Sequence, residues 1–448
     1  MKKIRFVLPL LLIISIIVPN YAQALIFNPA LNIYSEGVYM LNLNEDQVVY
    51  QKNQNELFHP ASLTKIMTAV VVLEHFADNP EDMKTIKISA PSSAYNDFAG
   101  KNVSTADIRA NEKVSYYDLL YALMLPSACE AGNIIAYNLG GKNIENFVKK
   151  MNETAKRLGM TNTNFVNAHG LHDDAQVSSP RDMAILAKYA LTFPTFVEVS
   201  SAKDYRLPAT DIHPNGTYIR HTNAMLHSSS SYYYEHASGI KTGTLDEAGR
   251  CLISTASKGG IDYLTVSMSA PMRDEKNNNK FYNCIDHKTL YEWAYGKLSF
   301  EEILSDKTEI DNIKVEFGKN KQYVNVIPAD KFESLWSSDS AKESIKQIIH
   351  IDDNIIAPIK EGQILGKLDL EFNGDIIFST ELVAVENVER EVLGYKLTVA
   401  KQFFSSKMMK RALLICLGII ILYTIIFILR RRKPRARKSR IKPSKKRY

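Results

Sequence analysis

The chain has 448 residues and a formal net charge of +6, long enough for two or three domains with substantial cores. The charge is uneven: twelve Lys or Arg and no acid follow Leu429, three more basic residues lie among the first five, and the remainder carries −9. An acidic body argues against nucleic-acid binding. Of the four cysteines, Cys416 lies in a long apolar run near the end, and the other three, Cys129, Cys251 and Cys284, are an odd, sparse set that argues against a disulfide framework; no C-x-x-C metal pair exists, and no cofactor is called for.

The elements follow in chain order. Residues 1–24 read as a secretory signal peptide: a basic start, an apolar run over 6–18, and the small-residue site Ala22-Gln23-Ala24. Two β-rich runs, 37–43 and 47–50, flank Asn44-Glu45-Asp46 and read as a hairpin. A helix carrying Ser62 and Lys65 follows and runs on through Met67, Val70, Val71 and Leu73, apolar enough to be buried. Residues 116–139 are helical with a break at Pro126, which leaves Ser127 at a junction. Helices are expected over 147–158 and 180–191, and strands over 252–254 and 263–268. Strands at both ends with helices between predict an α/β domain over 25–300, one antiparallel sheet flanked by helices.

Beyond residue 300 the pattern becomes short β-runs at 313–317, 323–326, 364–368 and 382–385, a small all-β domain over 305–395. Residues 412–429 hold eighteen residues without a charge, about 27 Å of helix, close to the lower limit for a bilayer span. Lys410-Arg411 and Arg430-Arg431-Arg432 flank it as interfacial anchors, and 430–448 reads as a basic cytoplasmic tail.

Ser62-Leu63-Thr64-Lys65 carries the chemistry. A serine and a lysine three residues apart on a helix share one face, and Pro60 suits the entry to a helix. Lys65 can act as a base only when neutral. Near neutral pH that means lowering a usual pKa of about 10.4 by roughly 3 units, worth about 4 kcal/mol. Burial and a second cation both push that way, and Lys241 is the candidate cation. The spacing alone is weak, since it recurs at Ser439 and Lys442 in the tail. Order strengthens it: Ser62-Leu63-Thr64-Lys65, then Pro126-Ser127-Ala128-Cys129, then Lys241-Thr242-Gly243-Thr244.

These three motifs resemble those of the low-molecular-weight penicillin-binding proteins, specifically the serine D-alanyl-D-alanine carboxypeptidases, over residues 33–388. The segment Ala357-Pro358-Ile359-Lys360-Glu361-Gly362-Gln363 resembles part of their C-terminal domain. The resemblance implies a β-lactamase/transpeptidase-like fold with Ser62 as nucleophile, Lys65 as general base and Ser127 as proton relay. It also implies that Lys241, Thr242, Gly243 and Thr244 bind substrate, with Ser62 and Thr244 backbone N–H groups as the oxyanion hole. Cys129 departs from the family's asparagine and would take its place beside the substrate amide. The implied partners are peptidoglycan stem peptides ending in D-Ala-D-Ala and, as inhibitors, β-lactam antibiotics. The implied setting is a single-pass membrane anchor with the catalytic domain extracytoplasmic. His169-Gly170-Leu171-His172-Asp173-Asp174 reads as a turn segment rather than a metal cluster, and His236 as a surface histidine. Alternatives are a class A-like β-lactamase, a D,D-endopeptidase or transpeptidase, and a degenerate non-enzymatic wall-binding protein.

Overall fold

The computed structural model describes residues 27, 29–98, 100–340 and 342–431. The expected signal peptide and the tail beyond Arg431 lie outside the described residues. Contacts group the chain into two compact units. One comprises residues up to Ile303 with Phe332–Gln347 and Leu370–Phe378; the other comprises Leu304–Lys331, Ile348–Asp369 and the residues from Ser379 onward.

In the first unit, β1 (Gly37–Asn42) and β2 (Gln47–Lys52) form the expected hairpin, with Leu41 opposite Val48. Three longer strands, β3 (Ala237–Leu245), β4 (Gly249–Lys258) and β5 (Ile261–Ala270), complete an antiparallel sheet ordered β2-β1-β5-β4-β3. The first strand of this sheet in chain order thus pairs with the last, Met40 lying opposite Thr265. Side chains alternate between the two faces of a strand. Ile253 of β4 and Leu264, Val266 and Met268 of β5 join one large apolar cluster, while Ser254, Thr265 and Ser267 point the other way.

That second face receives a helix not expected from the sequence, Tyr282–Lys297. Its His287 bridges the two central strands, with Nδ1 2.7 Å from Ser254 Oγ and Nε2 2.9 Å from Ser267 Oγ. Burial pushes His287 down to about 3, so the bridge is made by a neutral ring.

The first face receives the helices α1 (Thr64–His75), α2 (Tyr116–Met124), α3 (Cys129–Leu139), α4 (Ile144–Arg157) and α5 (Pro180–Ala190). Local chemistry sets their starts. Ser115 accepts the Asp118 N–H at 3.1 Å, and Ser179 accepts the Asp182 N–H at 3.2 Å with Pro180 at the first helical position. Pro126 separates α2 from α3 as expected. All ten residues from Thr64 to Leu73 are buried. Five of them are Ile, Val or Leu, each contributing about 1.5–3 kcal/mol on burial, which outweighs the several kcal/mol of burying one lysine among them.

Also in this unit, Leu298–Leu304 pairs with Phe332–Ser337, strands that the sequence pattern did not suggest. In the second unit, Asp311–Lys314 pairs with Tyr323–Pro328, Ile313 opposite Val324, and Val326 lies opposite Ala384. This is the small β domain that the short runs predicted. The chain then continues as a helix over Val392–Ser405 and another over Lys407–Arg431. The latter is long and apolar enough to cross a membrane, the only such helix among the described residues. At 25 residues it reaches about 38 Å, longer than the uncharged run alone, with Lys407, Lys410 and Arg411 at one end and Arg430 and Arg431 at the other.

Candidate active site

Ser62 sits in a single 3-10 turn, Ala61–Leu63, that leads into α1 rather than within the α-helix itself. Two glycines let other segments close on this turn. A Cβ at Gly170, where φ is +79°, would lie 3.0 Å from Ser62 Cα and closer still to the Ala61 carbonyl. A Cβ at Gly243 would lie 3.1 Å from Ala61 Cβ and 3.2 Å from the Pro60 carbonyl. Gly243 therefore brings β3 against the Ser62 turn by having no side chain.

Lys65 is wholly buried. Its Nζ is 3.0 Å from Ser62 Oγ and 3.5 Å from Cys129 Sγ, and it also donates to the His169 carbonyl. Burial holds Lys65 below the usual lysine range, while the Cys129 and Glu130 side chains pull it back up. Lys241 on β3 is equally buried, and its Nζ donates to the Thr242 carbonyl at 3.1 Å. Burial, then repulsion from Lys65, holds Lys241 well below the lysine range. The expected effect of one cation on the other thus falls on Lys241, and for Lys65 the main cause is burial.

The second motif lies between α2 and α3. Ser127 is buried, with φ +66° in the left-handed region that non-glycine residues seldom occupy. The Ala128 N–H donates back to the Ala122 carbonyl at 3.0 Å, and the Cys129 N–H donates to the Ser104 carbonyl at 2.9 Å. These bonds fix the turn that presents Cys129 to Lys65.

The third motif lies inside β3, paired with β4: Lys241 opposite Ile253, Thr242 opposite Leu252, Gly243 opposite Cys251 and Thr244 opposite Arg250. By alternation Lys241 and Gly243 share one face, Thr242 and Thr244 the other. Thr242 is half-buried and Thr244 exposed.

Several residues that the sequence pattern did not single out complete this neighbourhood. Thr222 Oγ1 lies 2.5 Å from Thr242 Oγ1. Asn223, fully buried, donates from Nδ2 to the Gly239 carbonyl at 2.6 Å and accepts the Met225 N–H at 3.0 Å. His221 accepts the Asn223 N–H on Nδ1 at 2.9 Å, so its Nε2 is free to donate to the Ile240 carbonyl at 3.3 Å. Burial and the nearby Lys241 push His221 down to about 3, so it stays neutral. The only signal was a polar run, Arg220-His221-Thr222-Asn223, between two apolar stretches.

His169 contributes its carbonyl to Lys65, and its ring accepts the Leu171 N–H at 3.1 Å. Its Nε2 is 3.5 Å from Asp97 Oδ2. The His172 ring packs edge-on against His59 at 4.7 Å. Among the described residues no group of three or more His, Cys, Asp or Glu is arranged to hold a metal ion. His236 packs on Tyr234 and Tyr295.

A serine against a buried lysine, a second-motif turn and a lysine on the edge strand stand together, in a sheet-and-helix frame followed by β-strands. Residues 25–272 match the family described as D-alanyl-D-alanine carboxypeptidase, and residues 300–390 the penicillin-binding protein 5 C-terminal domain. The chain belongs to the D-alanyl-D-alanine carboxypeptidase family.

The D-alanyl-D-alanine carboxypeptidase DacF of Bacillus subtilis strain 168 is 28% identical over 357 residues, covering 80% of this chain and 86% of its own length. The crystal structure of the Streptomyces K15 DD-transpeptidase matches with a TM-score of 0.53 at 28% identity, covering 60% of this chain and 100% of that one. That of DacD from Francisella tularensis matches with a TM-score of 0.61 over 82% of this chain and 97% of its own, at 24% identity, a likeness of fold. Family membership supports a serine carboxypeptidase over the lactamase and non-enzymatic readings.

Proposed function

We propose that this carboxypeptidase removes the terminal D-alanine from peptidoglycan stem peptides ending in D-Ala-D-Ala, through an acyl-enzyme on Ser62. The observation that carries the assignment is Ser62 Oγ at 3.0 Å from the Nζ of a wholly buried lysine. A neutral Lys65 takes the Ser62 proton as Oγ attacks the carbonyl between the two D-alanines. The Ser62 and Thr244 backbone N–H groups hold the developing oxyanion. Ser127 passes a proton to the departing D-alanine amine, and the C–N bond breaks. The hydroxyls of Thr242 and Thr244 hold the terminal carboxylate, Lys241 supplies positive potential from the other face of β3, and Cys129 lies beside the substrate amide. Water then cleaves the acyl ester and frees Ser62. A β-lactam follows the same first step and remains attached.

The membrane-crossing length of Lys407–Arg431 and its basic flank support a single-pass anchor with the catalytic domain outside and Tyr448 inside. The basic, then apolar, start of the chain supports export by a signal peptide.

Fluorescent penicillin tests the assignment. It is expected to label a peptide containing Ser62, and Ser62→Ala is expected to abolish both labelling and D-alanine release. Labelling that persists in Ser62→Ala would overturn it.

A further inference from the structure

Glu130 follows Cys129 in the first turn of α3 and is 1% exposed. Nothing in the acyl-transfer steps uses it, yet an acid buried so fully is costly unless it is bonded. Its Oε1 accepts the Ala106 N–H at 2.6 Å, while Oε2 is buried without a hydrogen-bond partner among the described residues. Burial pushes the carboxyl up to about 7, against the amides of Ala106, Glu130 and Ile108 and the charge of Lys65.

The segment that Glu130 grips is held at two further points. The Ser104 carbonyl accepts the Cys129 N–H, and the Ile108 carbonyl accepts the Tyr95 hydroxyl at 2.6 Å. Between these points Asp107 is held at φ +58°, a conformation that persists only where the surroundings impose it. Residues 104–108 thus form a strap across the start of α3, and Cys129 of the second motif and Glu130 next to it are its anchors.

We infer that Glu130 is a positioning residue whose carboxyl fastens residues 104–108 over the start of α3 and so keeps Cys129 against Lys65. The inference rests on the proposed role of Lys65 for its consequence in catalysis, but not for its geometry. Oε1 accepts the Ala106 N–H whether the carboxyl is charged or neutral, so the fastening needs an acceptor rather than a charge. Removing the side chain leaves a buried N–H unpaired and frees the strap.

The test compares Glu130→Ala with Glu130→Gln in the full-length protein. Iodoacetamide alkylation is followed separately at Cys129, Cys251 and Cys284, all buried in the wild type. Cys251 and Cys284 report any general loosening of the fold. Glu130→Ala is expected to raise alkylation of Cys129 about tenfold or more relative to the other two, and to slow acylation by fluorescent penicillin about as much, because an unpaired buried donor opens its surroundings locally. Glu130→Gln keeps an acceptor oxygen for Ala106 and is expected to stay within about twofold of wild type in both readings. The inference fails if Glu130→Ala leaves Cys129 as protected as in the wild type, or if all three cysteines become reactive together. Alkylation requires no catalytic activity, so wild-type protein that is not acylated at all would refute the proposed function and leave the strap test standing.

Discussion

Two helices of this molecule are apolar on nearly every face, and they meet opposite surroundings. In α1 every residue from Thr64 to Leu73 is buried in protein. In the helix Lys407–Arg431 no residue is buried, and its large apolar side chains are exposed from Leu413 to Leu429. Both carry apolar side chains that water disfavours: one buries them within a core, and the other is long and apolar enough to cross a membrane. The difference lies in where each keeps its lysine. The exposed helix carries its charges only at its ends, where long side chains reach water. Helix α1 buries Lys65 in its first turn, with Ser62 Oγ, Cys129 Sγ and the His169 carbonyl around it. A lysine at an end is an anchor; a lysine held this far from water has been moved towards its neutral form.

Removing the buried charge of α1 breaks the comparison with the largest expected effect. Lys65→Met is expected to slow acylation by about 10²–10⁴-fold, the usual contribution of a general base. Its thermal stability is expected to be at least that of the wild type, because an apolar side chain of similar volume removes the desolvation of a buried cation. A stopped-flow acylation trace and a melting curve on the same sample check both halves. Loss of stability without loss of acylation would mean that Lys65 is structural.

Placing a charge in the middle of the other helix is the converse experiment. Ile420→Arg is expected to disfavour membrane insertion by about 2.5–3.5 kcal/mol, shifting protein from the membrane fraction to the soluble fraction. Truncation after Lys401 should give soluble protein with wild-type acylation, since no side chain of the candidate site lies beyond Thr244. Unchanged membrane retention of Ile420→Arg would refute the span.

The smallest effect is expected at Cys129. An amide donates and accepts more strongly than a thiol, and one neutral hydrogen bond is worth about 0.5–1.5 kcal/mol, or a few-fold to tenfold in rate. Cys129→Asn is therefore expected to keep or modestly raise D-alanine release. Wild type without any release, restored by Cys129→Asn, would place this chain among degenerate binders.

What the sequence made legible follows from how local each signal is. Ser62 and Lys65 are three residues apart, so helical spacing alone brings them together. Pro126 announced its own break, and the β1–β2 hairpin declared itself by its polar turn. The carbonyl of His169 reaches Lys65 from 104 residues away, and a backbone group leaves no residue-type signature. Glu130 looks like an ordinary surface acid until residues 104–108 are folded over it. Strand β3 was hidden because its inward positions are held by Lys241 and Gly243 rather than by apolar side chains. The helix Tyr282–Lys297 was hidden because Asn283, Asp286 and His287 occupy buried positions, which blurs the apolar period. In each case the polar residue that spoiled the pattern is bonded within the core: Asp286 accepts the Ser35 hydroxyl at 2.5 Å, and His287 bridges two strands.

Burial lowers the pKa of Lys65, which lets it act as a base below the ordinary lysine range. The most direct test is the acylation rate constant with fluorescent penicillin across pH, for the wild type and for Lys65→Arg, whose guanidinium cannot lose its proton. A base must be neutral to act, so the rate should rise with pH. Because burial lowers the pKa of Lys65, the rise should be centred below the ordinary lysine value of about 10.4 and be absent in Lys65→Arg. A rise centred at that ordinary value, or one that persists in Lys65→Arg, would contradict the account.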